Sequence, residues 1–414
     1  MKEEILENLE NPAQLERLYR ADKSDFKRTF KSLYPQLSDN KLVGYWNERL
    51  MYTREDVSWG STAELIFVII VSLMAGLVAK LPVLFSINEE FFYPRNIGFV
   101  VFPALCAYFI WKNKVQKINM ALIIGMLILG AIYINLLPDV KNSDTLMLSC
   151  IHLPLSLWAT LGFAFVGQTG NKSDKRLGFL RYSGDLVVMT TLILLAGGLM
   201  SVITVGLFEL IGFDINKYYF DYVAIFGLSA APIVGTHLTQ TNPQLVGKVS
   251  PVIAKIFSPL VLIMLVIYLA AIAYSGKNPY SDREFLLVFN ALLVGVMAII
   301  FFSVAETSKD TINRISVWVL FILSVFTVLV NGIAISAILF RISEWGITPN
   351  RAAVLGGNAL ILVNLILVTA KLFQVLSNKS TITGVGKVIS HYLPVYFIWA
   401  LIVTFIFPLL FWFK

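Results

Sequence analysis

The chain has 414 residues, 57% hydrophobic and only 14% charged, with a formal net charge of +7 and a mean hydropathy of +0.75. This composition excludes a soluble enzyme of this size and an intrinsically disordered chain, and leaves an all-α, polytopic helical membrane protein. The basic balance reads as loop lysines facing anionic lipid, so the bilayer is an expected partner and nucleic acid is not.

Residues 1–58 carry dense charge and apolar residues at helical spacing, which predicts a small cytoplasmic segment of two or three amphipathic helices. Leu15, Leu18 and Tyr19 form one apolar edge, and Phe26, Phe30, Leu33 and Tyr34 form another. Asp22 or Ser24 can cap the second helix, and Pro35 lies just past its end. Leu42, Trp46 and Leu50 recur every fourth residue and share a third helix face. The segment is expected either to rest on the inner membrane surface or to dock a soluble protein partner. No apolar core of a cleavable secretory signal opens it, so the first membrane helix is expected to direct insertion.

From Ala63 onward, eleven stretches are each about long enough for a crossing, which takes about 20 apolar residues. They cover 63–84, 97–111, 119–137, 145–167, 185–211, 220–239, 251–274, 285–305, 315–340, 352–373 and 393–413. With residues 59–414 as the membrane domain and the N-terminus inside, inner connections and span ends carry fourteen Lys and Arg, among them Lys112, Lys114, Lys117, Lys172, Lys175, Arg176 and Arg181. Outer connections carry seven: Arg95, Lys141, Lys217, Lys277, Arg283, Arg341 and Arg351. The bias predicts a cytoplasmic N-terminus and, with an odd span count, an outside C-terminus. Tyr93, Trp111, Tyr218, Tyr219, Trp345 and Trp412 lie near span ends, where amphipathic rings anchor.

Polar residues inside apolar spans are costly and mark packing or function. In chain order these are Lys80, His152, Glu209, Asn290, Asn331, Asn358 and Asn364. Pro154, just after His152, is expected to break its helix and free backbone carbonyls. One reading is an outward cavity in which His152 and Glu209 relay protons, or hold a polar ligand with Lys80. The other is structural: a snorkelling lysine, an interfacial ion pair and interhelical amide bonds. Cys106 and Cys150 read as packing residues rather than a disulfide. Gly197 with Ser201, Ala291 with Gly295, and Gly332 with Ser336 have the spacing of close helix contacts. VGLFELIGF at 205–213 and AILFRISEWGI at 337–347 echo one another, as parallel repeats in transporters do, and the echo predicts Glu209 and Arg341 on one membrane side, close enough to pair.

The most distinctive connection is RISEWGITPNR, Arg341 to Arg351. Gly346 can turn it, Thr348 or Asn350 can cap the next helix, and Arg341 and Arg351 can clamp Glu344 or meet a lipid phosphate. With the preceding Leu339 and Phe340 and the following AAVLGGNALILVNL, this loop resembles a family of bacterial polytopic membrane proteins known only as a domain of unknown function. Members share an Arg, acidic, aromatic-Gly, Thr and Asn-Arg pattern, which falls here on Arg341, Glu344, Gly346, Thr348 and Arg351. The resemblance covers the second half of the chain; it implies a fold and a compartment but no activity.

Several chemistries have no support. HExxH is absent, and His152, His237 and His391 lack ligand spacing. TGVGK at 383–387 lacks the remaining residues of a phosphate loop and reads as a flexible inner linker. No catalytic residue, metal or cofactor is therefore expected. The substrate-binding candidates are Lys80, His152, Glu209, Asn331, Arg341, Glu344 and Arg351. The first functional expectation is a transporter or permease of the bacterial inner membrane for a small polar solute or ion. The alternatives are a scaffold or sensor recruiting a partner through residues 1–58 and, behind it, a lipid-modifying enzyme.

Overall fold

The computed structural model describes the chain except residues 1, 22–25, 27–28, 31, 35–36, 38–39, 52–58, 141, 168–171, 211–213, 244–257, 264, 267–269, 271–282, 308–313 and 414. Within helices it leaves out the side chains at 21, 51, 203, 206–207, 209–210, 283–289, 291 and 306–307. Contacts divide the chain into two compact units, Met1–Ser58 and Trp59–Lys414.

The first unit contains α1 (Lys2–Glu7), α2 (Pro12–Ala21) and α3 (Lys41–Met51). Asn40 starts α3 by accepting the Leu42 and Val43 amides on its side-chain oxygen, as an N-cap does. Ile5, Leu15, Phe26, Phe30, Leu33, Val43, Trp46 and Leu50 form a separate core. Arg49 closes it, with its guanidinium 4.7 Å from the Trp46 ring and 2.7 Å from Glu16. Asp22, Ser24 and Pro35, the predicted cap and stop signals, lie outside the described residues.

The second unit is built from α4 (Thr62–Ala79), α5 (Glu89–Lys112), α6 (Lys117–Leu136), α7 (Asp144–Val166), α8 (Lys172–Leu210), α9 (Asn216–Thr241), α10 (Arg283–Thr307), α11 (Arg314–Trp345), α12 (Pro349–Leu376) and α13 (Ile382–Leu410). Among the described residues, nine helices are long and apolar enough to cross a membrane, all of these except α10, whose apolar described stretch is Leu292–Ala305. Most of the span expected at 251–274 lies outside the described residues. The architecture is that of a multi-pass membrane protein. On α6 the side chains of Ile118, Leu122, Ile128, Leu129, Ile132 and Leu136 are all exposed, which suits hydrocarbon as solvent.

Boundaries move where capping and polar helix extensions override hydropathy. Asn88 accepts the Glu90 and Phe91 amides and starts α5 well before residue 97, so Arg95 lies inside a helix and not in an outer connection. The expected break at Pro154 does not occur, since α7 continues through it; nearby, the Ser156 and Thr160 hydroxyls bond carbonyls one turn back. TGVGK is not a linker; it forms the first turns of α13. The basic stretch from Lys172 is likewise the start of one 39-residue helix.

Hydrogen bonds tie helix ends into two sets. At one end, Ser143, Ser149 and Tyr133 donate to the Phe413, Thr404 and Phe405 carbonyls, and the last two acceptors lie in a π-helical turn, Ile402–Ile406. At the other, Arg181 donates to Ala305 O, Arg314 to Leu376 O, and Asn113 to Ala164 O and Phe165 O. This second set holds Lys112, Lys114, Lys117, Lys172, Lys175 and Arg176, and is the basic end. Trp158 packs against both large cores and bonds Ser183 through its indole N–H, joining the earlier helices to the later ones.

Close helix approaches fall elsewhere than at the predicted small-residue pairs. A Cβ added at Gly197, Gly295 or Gly332 meets nothing within 4 Å. The tightest contacts are at Gly76 against Phe226, Gly184 against Phe302 and Gly356 against Trp399. Spacing identifies a smooth helix face but not the neighbour that covers it; here an aromatic ring from a packed helix takes the place of the missing side chain.

Candidate functional site

Among the described residues, a partly buried ionic cluster stands at the basic end. Ser61 caps α4 by accepting the Glu64 amide, which sets Glu64 in the first turn of an otherwise apolar helix. Tyr108 and Lys112, one helical turn apart on α5, both reach its Oε1: the phenol donates at 3.1 Å and the ammonium lies at 3.5 Å. Lys112 also donates to the Tyr108 hydroxyl at 3.1 Å. From α9, His237 brings Nδ1 to 4.0 Å of the same oxygen. Its Nε2 lies 3.0 Å from the Trp59 carbonyl.

That carbonyl only accepts, so Nε2 carries the hydrogen and Nδ1 faces the carboxylate. Nδ1 is buried and has no hydrogen-bond partner. Beside the cluster, a recess of about 390 Å³ is lined by residues that include Phe109, Asn113, Lys114, Gln116, Lys175 and Gln240. Asn113 adjoins Lys112, and Gln240 follows His237 by one turn. Side-chain exposure falls from 30% at Lys112 to 15% at Glu64 and 2% at His237, so the cluster reaches from water into the helix packing.

A second polar group lies among α10–α13. The Asn358 amide donates to Asn290 Oδ1 at 2.8 Å, and Asn331 donates to the Asn358 carbonyl at 3.0 Å. Farther along α12, Asn364 donates to the Tyr396 hydroxyl at 3.0 Å. Asn331 and Asn364 are fully buried, and the Oδ1 atom of each lacks a hydrogen-bond partner.

The remaining candidates have separate surroundings. Lys80 ends α4 and is buried, with its ammonium 4.6 Å from the Tyr222 ring centre; it does not snorkel. His152 turns Nδ1 to the Leu148 carbonyl of its own helix at 2.9 Å. The Glu209 side chain lies outside the described residues, and with it the suggested pairing to Arg341. Arg341 is buried, and both Arg341 and Arg351 lie with Cζ 5.7 Å from the Trp345 ring. Arg351 donates to the Trp345 and Gly346 carbonyls at 2.9 and 2.6 Å, while Glu344 is exposed. The loop is thus closed by Arg351 on backbone carbonyls and an indole, and Thr348 caps α12 by accepting the Arg351 amide. None of the seven predicted residues lines the recess.

Sequence reading missed Glu64, Tyr108 and Lys112, and considered His237 only as a metal ligand. One signal was available: a carboxylate in the first turn of a membrane helix, with a Tyr and a Lys one turn apart at the matching end of the next. No protein-family model, curated protein or solved structure matches the chain.

Proposed function

We propose that this chain is an integral protein of the bacterial cytoplasmic membrane that acts as a transporter or permease for a small polar solute or ion. The amides of α10–α13 carry this reading. Asn331 Oδ1 and Asn364 Oδ1 are buried without a hydrogen-bond partner, and an acceptor left so inside a membrane bundle is costly. Side-chain and backbone carbonyl oxygens between helices are also the ligands that replace the hydration shell of a passing cation or polar solute.

The basic end is assigned to the cytoplasm because Lys and Arg favour that side. α9 and α10 both finish there, which fits a further crossing at 251–274 between them and a C-terminus on the outside. The test is uptake into liposomes carrying the purified protein, using radioactive sodium, rubidium, amino acids and sugars. At least one should accumulate beyond protein-free liposomes and fall about tenfold or more with Asn331→Leu; no uptake of any by folded protein would contradict the reading.

One observation favours a second reading, a membrane scaffold or sensor: Met1–Ser58 is a compact unit with its own aromatic core. Deleting residues 1–58 should leave uptake intact in a transporter and abolish the activity of a scaffold.

A further inference from the structure

The Glu64 cluster brings three groups of different chemistry within 4.0 Å of one carboxylate oxygen. Lys112 neutralises Glu64 while His237 is uncharged, so the cluster then carries no net charge. His237 nevertheless presents both ring nitrogens to acceptors, Nε2 to the Trp59 carbonyl and Nδ1 to Glu64 Oε1. A neutral ring can donate to only one of them; an imidazolium donates to both. The backbone encloses this arrangement closely. Gly60 has φ +72°, and a Cβ there would stand 2.6 Å from Glu64 Oε2 and 3.1 Å from His237 Cε1.

We infer that His237 and Glu64 form a proton-binding pair, in which one proton from water at the basic end is held by Nδ1 of His237 against Oε1 of Glu64. Uptake adds that proton to Nδ1, while Nε2 keeps its own proton and its bond to Trp59; release returns it to water. The cluster passes from zero to one positive charge, and Glu64 is then shared between Lys112 on α5 and His237 on α9. Binding therefore changes which neighbouring helix α4 is drawn toward. In the transporter reading, on which this role rests, the proton is the coupling ion.

α5 supplies Tyr108 and Lys112, the first donating to Glu64 and the second opposing a further positive charge. α8 supplies Tyr182, whose hydroxyl shares a hydrogen bond with Thr236 at 2.8 Å. The charged neighbours of Tyr182 along α8 are Arg181, which donates to Ala305 O, and Asp185.

The chain has three histidines, His152, His237 and His391, which makes a direct titration practicable. The full-length protein is prepared in lipid nanodiscs with ring-¹⁵N histidine, and the signals are assigned with His152→Gln and His391→Gln. His237 should convert from neutral to doubly protonated in one step. Glu64→Gln should weaken its proton binding about tenfold or more, and Lys112→Gln should strengthen it; His391 should not respond to either. Opposite signs separate a charge effect from general loosening of the fold. A His237 signal that stays neutral throughout, or that ignores both substitutions, overturns the pair. If Glu64→Gln does not fold, the strengthening by Lys112→Gln or its absence decides alone. A failed titration removes the pair whatever uptake is found, whereas absent uptake with a positive titration removes only the transport role.

Discussion

Gly60 and Gly346 both take positive φ, +72° and +74°, but their surroundings differ. A Cβ at Gly346 meets nothing within 4 Å, whereas at Gly60 it would press on Glu64 and His237. Alanine at either position carries backbone strain of about 1–3 kcal/mol; at Gly60 the contact adds to it. Gly60→Ala should therefore lower the thermal unfolding midpoint in detergent more than Gly346→Ala does. The contrast also shows what was legible. Gly346 could be read as a turn because it stands alone in a polar loop, but the role of Gly60 depends on a histidine far along the chain. The same holds for Glu64, whose partners come from two other helices. Arg341 and Arg351 were legible as a pair around one turn, yet the group between them is the Trp345 indole and not Glu344.

At the scale of helices, apolar runs and caps located most elements, while neighbours could not be inferred. α7, α11 and α12 closely match the expected spans; α5, α8 and α13 start earlier because polar residues continue an apolar helix once it is nucleated. Helix contacts escaped the sequence because a glycine face is informative only when the covering ring is known. Gly356→Leu should destabilise by about 1–3 kcal/mol through overpacking against Trp399, while Gly332→Leu, facing open space, should be near neutral in the same melting assay. In the N-terminal unit, the Arg20 hydrogen bond acts most strongly on the Glu16 carboxyl, burial pushes back upward, and the Arg49 hydrogen bond and charge add to Arg20, so the group stays below its ordinary value. A lowered value means the contribution is full above the ordinary carboxylate range and is lost as pH falls through the folded one. Hydrogen exchange on the intact protein should show α2 and α3 losing protection in acid, with a weaker acid dependence in Glu16→Gln.

Over the whole molecule, a helical membrane unit carries the Glu64 cluster at its basic end and buried amides among its later helices. Composition made the membrane class legible, and the Lys and Arg bias indicated which helix ends belong together; Arg181 with Ala305 and Arg314 with Leu376 join helix ends at the basic side. The site was not legible, because Glu64, Tyr108, Lys112 and His237 come from three helices far apart in the chain and nothing in their spacing joins them. The proposed placement in the cytoplasmic membrane requires the basic end to face the cytoplasm and the two termini to lie on opposite sides. The most direct measurement fuses to the N-terminus a reporter active only in the cytoplasm, and to the C-terminus one active only outside it. A cytoplasmic N-terminus and an outside C-terminus give signal from both fusions; two termini found in the same compartment would overturn that topology.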